Sequence, residues 1–125
     1  MLTPRVIDVK GTAIELRWAD RKLERSCSED ARGRRRWSAD HWKLLQRRLA
    51  SLAAAPTLRD MDEVPGRCHA LRGDRAGQFA LLLWGQYRLI FTPDHDPVPR
   101  LADGGIDRAS VRAIRIEEIV DYHGS

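Results

Sequence analysis

Arg67–Phe91, RCHALRGDRAGQFALLLWGQYRLIF, is the stretch whose reading decides the fold. It reads as a short strand over Arg67–Leu71, a polar turn, and two strands, Gln78–Trp84 and Tyr87–Phe91, joined at Gly85-Gln86. The two strand segments are dense in Leu, Ile, Phe, Trp and Tyr, side chains that fit a pleated, largely buried surface. Glycine at the first central position of a two-residue loop predicts a type II′ hairpin turn. Such a turn sets Trp84 opposite Tyr87, Leu83 opposite Arg88, Leu82 opposite Leu89 and Leu81 opposite Ile90. Cross-strand partners share a face. One face is then wholly apolar (Ala80, Leu82, Trp84, Tyr87, Leu89, Phe91) and ready to be covered by helices. The other carries Leu81, Leu83, Ile90 and Arg88, and an arginine turned away from the helices calls for a role other than packing.

Outward from this core, Ala13–Trp18 (AIELRW) alternates as a first strand, while residues 1–12 fit no element and read as an extended or disordered lead-in. Asp20 can cap a helix from Arg21 to about Arg32 that buries Leu23 and Cys27. The run Arg32-Gly33-Arg34-Arg35-Arg36 then reads as a solvated loop; its functional alternative is a phosphate-tracking patch on the rim of an RNA site. Ser38 is the N-cap of the best-marked helix, with Trp37 and Trp42 placed for a hydrophobic staple and Trp42, Leu45, Leu49 and Leu52 forming its apolar stripe. Ala55-Pro56 ends it, and Thr57 can cap one further helical turn. The segment 94–110 is a Pro/Gly/Asp-rich loop, long for so small a domain. Val111–Val120 reads as a last strand, broken at Glu117-Glu118. The expectation is one α+β domain over 1–125, ordered β-α-α-β-β-β, with two helices packed on one face of a mostly antiparallel sheet.

Charge narrows the function classes. The chain has 22 Lys+Arg against 18 Asp+Glu, net +4, and 19 of the 22 are arginine. Guanidinium forks onto phosphate bidentately, so the bias suits nucleic acid, although a GC-rich genome would produce it too. The window Asp20–Arg48 carries +5, more than the whole chain, which points to an electrostatic face toward RNA or an acidic partner. Cys27 and Cys68 lack metal-ligand spacing and read as small buried hydrophobes. No apolar run reaches membrane-spanning length and no signal peptide is evident, so a cytoplasmic protein without membrane partners is expected.

A family resemblance then enters on specific residues. His69-Ala-Leu-Arg72-Gly-Asp-Arg75, Gly77-Gln-Phe, Gly85-x-x-Arg88-Leu-x-Phe and the terminal Glu118-Ile-Val-Asp121-Tyr122-His123 resemble the HigB-type toxins, the plasmid maintenance killer branch of the RelE superfamily, in order and spacing from about Ile14 to His123. The resemblance implies a RelE-like fold and a ribosome-dependent mRNA endonuclease. It also implies a HigA-like helix-turn-helix antitoxin as partner, beside the ribosome and mRNA, with operator DNA reached only through the antitoxin. The alternative is a non-catalytic module of the same fold that partners the antitoxin in transcriptional autoregulation. The family's functional residues carry over onto His69, Arg72, Arg88, Asp121, Tyr122 and His123. Arg72 is a departure, since many relatives have lysine there.

Cleaving RNA by internal attack needs a base for the 2′-hydroxyl, cations for the phosphorane charge and an acid for the 5′-oxygen. Arg72 and Arg88 cannot act as bases, so they are expected to clamp phosphate. His69, Asp121 and His123 are the proton-transfer candidates, and Tyr122 could stack on a base or orient the substrate. Arg72, Arg75, Arg34, Arg35 and Arg36 are the candidate RNA contacts. His69 has a bland alternative as a hydrogen-bonded core histidine; His41 and His95 carry no functional signal. No histidine or cysteine pair has zinc-like spacing, so neither metal nor cofactor is expected.

Overall fold

The computed structural model describes residues 13–122; the expected 1–12 lead-in and His123 lie outside the described residues. Strand β1 (Glu15–Trp18) leads into α1 (Arg21–Ser28), α2 (Asp30–Arg36) and α3 (Ala39–Ala54), followed by β2 (His69–Ala70), β3 (Phe79–Leu82), β4 (Tyr87–Pro93) and β5 (Ala113–Asp121). The strands lie in the order β1-β5-β4-β3-β2, with β1 parallel to β5 and the other neighbours antiparallel. The class is α+β, with helices on one face of a mostly antiparallel sheet. The five strands fall on the five strand segments read in the sequence, of which the expected order counted four, and the described residues hold one α-helix more than that order.

Local chemistry explains the helix starts. The Asp20 carboxylate accepts from Leu23 N–H at 2.8 Å and the Ser38 hydroxyl oxygen from His41 N–H at 3.1 Å, each satisfying a donor that the first turn leaves free. A capping box between Thr57 and Asp60 opens the 3-10 helix Leu58–Glu63. Trp42, Leu45, Leu49 and Leu52 are buried against the sheet together with Phe79, Leu81, Leu89, Phe91, Ile114 and Ile116.

The arginine run is helical, which corrects the expected loop. The helix breaks earlier, at Glu29 (φ −95°, ψ 120°), and restarts as α2. Gly33 makes this possible. It is buried under Trp42, and a Cβ there would lie 1.9 Å from the indole ring. Glycine serves here as a close-approach residue and not as a helix breaker.

The hairpin register also differs by one residue. Leu82 pairs with Arg88, Leu81 with Leu89, Ala80 with Ile90 and Phe79 with Phe91. The loop is three residues, Trp84–Gln86, closed by Leu83 N–H donating to the Tyr87 carbonyl at 3.1 Å, with Gly85 at φ +54°. A one-residue slip flips every side chain of the slipped strand. Leu81 and Leu83, expected on the open face, are 0% and 8% exposed in the core, whereas Ala80 and Leu82 turn outward. The larger set wins: this register buries Phe79, stacked on Phe91 at 5.8 Å, along with both leucines. Strand β4 keeps its faces, so Arg88 still lies on the side away from the helices.

Candidate active site

The open face of the sheet is built in rows by the strand register. One row runs His69–Ala80–Ile90–Glu118, and the next runs Leu82–Arg88–Val120. Leu71, Ala80 and Ile90 form a small second core on this face, with Val120 and Tyr122 packed against it. Neighbouring strands are about 4.8 Å apart and alternate residues about 6.8 Å apart. The backbones of His69 and Arg88 are therefore separated by roughly 12 Å, a span two side chains can close around one phosphodiester.

A β-bulge decides what stands at the end of this face. Ile90 pairs with Glu118 but Phe91 with Ile116, so Glu117 is the extra residue in β5. Regular alternation from Ile116 would turn Glu118 and Tyr122 toward the helices. With the bulge, Ile119 returns to the core and Glu118, Val120 and Tyr122 face outward. Bulges re-aim side chains in this way. Glu117 is held on the same side by Thr92 and Arg115, at 2.7 and 2.9 Å.

Arg75 reaches over the sheet from the 3-10 turn Gly73–Arg75. Its Nη1 donates to Glu118 Oε2 and to Gln78 Oε1, both at 2.9 Å. The guanidinium carbon lies 5.2 Å from the centroid of the Tyr122 ring, within cation–π range. Tyr122 is anchored by its N–H, which donates to the Gln86 carbonyl at 2.9 Å. Arg88 Nη1 donates to the carbonyls of Gly85 and Tyr87, at 3.1 and 2.9 Å, and among the described residues it pairs with no carboxylate. A half-buried guanidinium bonded only to carbonyls keeps its full charge for an anion. His69 Nδ1 lies 2.8 Å from the Arg67 carbonyl oxygen.

The structure thus brings His69, Arg75, Arg88 and Tyr122 to one face. Arg72 is exposed in the same turn as Arg75. Asp121 is paired with Tyr87 and shares its face, opposite to Tyr122, so these two residues do not act from one side. Of the arginine run, Arg34 bonds Asp30 at 2.9 Å within the helical layer, and Arg36 bonds the Ser26 hydroxyl at 3.2 Å while lying over Trp37. Arg36 also lines a groove of about 330 Å³ beside β5 with Lys22, Glu117 and Glu118, and Arg34 and Arg35 are not part of it. Glu118 is the site residue that sequence reasoning missed. The signal was there: Ile114 and Ile116 are two apart but Ile119 follows by three, a spacing a strand can bury only through a bulge.

Elsewhere, Cys27 and Cys68 are buried and free, and burial pushes their thiols up to about 11 and about 12. His95 Nε2 accepts from the N–H groups of Arg112 and Ala113, at 3.0 and 3.2 Å, which fixes the start of β5. His41 stacks on Trp84 at 4.1 Å.

No family model and no curated protein matches this chain. Among solved structures, a YoeB/ParE toxin from Agrobacterium tumefaciens is similar over 89% of this chain and 100% of its own, at 13% identity and a TM-score of 0.48. A likeness of that degree assigns neither a family nor an activity.

Proposed function

We propose that the chain is the toxin of a type II toxin–antitoxin pair, of the HigB branch of the RelE superfamily, and that it cuts mRNA on the ribosome at the open face of its sheet. The observation that carries this reading is the set His69, Arg75, Arg88 and Tyr122, gathered on the one face that the helices leave free, with Arg75 held between Glu118 and the Tyr122 ring. Tyr122 packs on Leu71, Ala80 and Ile90, but packing gives no reason to collect two guanidinium groups and an imidazole beside it.

In the proposed step the 2′-oxygen attacks the adjacent phosphorus, and the bond from phosphorus to the 5′-oxygen breaks. His69 takes the 2′-hydroxyl proton. Arg75 and Arg88 stabilise the charge that grows on the phosphorane oxygens, and Arg72 adds a further cation at the rim. Tyr122 gives a nucleobase an aromatic surface, and His123, next in sequence, is the candidate acid that protonates the departing 5′-oxygen. The products are a 2′,3′-cyclic phosphate and a 5′-hydroxyl. The proposed partners are a HigA-like helix-turn-helix antitoxin, the ribosome and mRNA, all cytoplasmic; operator DNA is reached through the antitoxin.

The test is expression of the chain alone in bacteria, with and without a His69→Gln, Arg88→Ala double substitution. Growth arrest by the parent and normal growth with the folded variant are expected. Arrest by both would overturn the site, and arrest by neither would favour the non-catalytic binding module.

A further inference from the structure

Arg67 is the described non-glycine residue in the left-handed region, at φ +48°, directly after Gly66 at φ +119°. That region disfavours a side chain with a Cβ, and arginine has no local hydrogen bond of the Asn or Asp kind to offset the cost. Strain of this sort persists where the surroundings fix it, often beside a functional group. Here the consequence of the turn is specific: the Arg67 carbonyl oxygen lies 2.8 Å from His69 Nδ1. A carbonyl can only accept, so in the neutral ring Nδ1 must carry the proton and Nε2 the lone pair. A free imidazole prefers the opposite tautomer.

We propose that Arg67 is a positioning residue, whose left-handed backbone aims its carbonyl at His69 and so holds the ring in the Nδ1–H form with Nε2 as the basic nitrogen. This rests on the reading of His69 as the base for the 2′-hydroxyl. Register supports the geometry. His69 pairs with Ala80 and shares its open face, and the carbonyl that orients the ring comes from two residues earlier on the same approach to β2. The pair Gly66-Arg67 is itself fixed to the sheet, because Leu82 N–H donates to the Gly66 carbonyl at 2.8 Å. Arg48 Nε donates to the Leu82 carbonyl at 3.0 Å from the helical side. The turn is thus held from both layers, and a residue that resists the left-handed region would have to shift it. The same carbonyl partner does what a carboxylate or carbonyl does for other catalytic histidines: it selects the tautomer and limits ring rotation.

The experiment is nitrogen-15 NMR of the histidine rings in the full chain above pH 8, where an ordinary imidazole is neutral. It is run on the parent, Arg67→Gly and Arg67→Val, with single-turnover cleavage on programmed ribosomes alongside. The parent should show His69 in the Nδ1–H form. Arg67→Gly, which keeps the left-handed turn without the guanidinium, should keep both that form and the cleavage rate. Arg67→Val, β-branched and averse to positive φ, should show mixed tautomers and slower cleavage at unchanged substrate affinity. An Nε2–H ring in the parent, unchanged ring signals in Arg67→Val, or equal loss of rate in both variants would overturn the positioning role. His69→Gln cleaving at the parental rate would overturn the catalytic reading as well, and so separates the two failures.

Discussion

Arg75 and Glu118 are 43 residues apart in the chain, and their side chains meet at 2.9 Å on the open face of the sheet. The contact exists because a bulge at Glu117 turns Glu118 outward, one row from Arg88. Glu118 holds the guanidinium over Tyr122 without withdrawing it from solvent, since the two side chains are 27% and 43% exposed. An ion pair that exposed stabilises the fold by at most about 1 kcal/mol. Arg75→Ala should therefore lower the unfolding free energy by less than about 1 kcal/mol, while cleavage falls by at least about tenfold through lost charge stabilisation. Urea unfolding and single-turnover kinetics on the same preparation check both halves. A large loss of stability with proportionate loss of rate would make the bridge a structural one.

Arg88 separates function from fold in a different way. Its hydrogen bonds go to two carbonyls of its own hairpin, so Arg88→Ala should cost about 1 kcal/mol of stability. The expected loss of cleavage is far larger than that destabilisation could cause. A melting temperature collapsing by tens of degrees would show instead that Arg88 is a scaffold residue.

Tyr122 packs on the patch of Leu71, Ala80 and Ile90 and lies under Arg75. These contacts use the ring and not the hydroxyl. Tyr122→Phe should keep most of the cleavage rate and Tyr122→Ala should lose it. Equal, complete loss in both variants would assign the work to the hydroxyl.

The two thiols predict how stability depends on pH. Cys27 and Cys68 are held up at about 11 and about 12 by burial, against 9.0 for an ordinary thiol. A group whose folded pKa is raised contributes stability that is complete below its unfolded value and is lost as pH rises through the folded one. Unfolding free energy should fall between pH 9 and about 11 by roughly 1.4 kcal/mol per pH unit per thiol. Serine substitution at both positions should flatten that limb in urea titrations. An identical slope in the double variant would trace it to other groups.

Gly33 carries the prediction for the helical layer. A methyl group would lie 1.9 Å from the Trp42 ring, and overpacking of this kind costs about 1–3 kcal/mol. Gly33→Ala should therefore destabilise the fold although alanine is the better helix former. Increased stability would mean that Trp42 repacks freely.

How much of this the sequence disclosed can be argued from individual residues. The caps at Asp20 and Ser38 and the stripe Trp42, Leu45, Leu49 and Leu52 were legible, because each is a local pattern with a local cause. The face of Arg88 was legible too, though by way of a register that is one residue wrong. Turn chemistry at Gly85-Gln86 argued for a two-residue loop, but burial of Phe79, Leu81 and Leu83 against the helices outweighs it, and that competition is tertiary. The helicity of the Arg34–Arg36 run was hidden for a similar reason, since Gly33 looks like a breaker until Trp42 is seen above it. In the candidate site, His69, Arg75, Arg88 and Tyr122 were identified as polar groups that packing does not explain. Glu118 was read as a mere break in the last strand, because its outward turn depends on a bulge. That Tyr122 points opposite to Asp121 was legible, since neighbouring strand residues alternate between faces.

The account's central claim is that the open face of the sheet cuts RNA by internal attack. The most direct measurement is the chemistry of the ends left on an mRNA bound to programmed ribosomes after a single turnover, compared between the parent and Arg88→Ala at matched folded concentration. A 2′,3′-cyclic phosphate and a 5′-hydroxyl from the parent, and no cleavage by the variant, are predicted. Products with a 5′-phosphate, or an Arg88→Ala chain that cuts as fast as the parent, would contradict it.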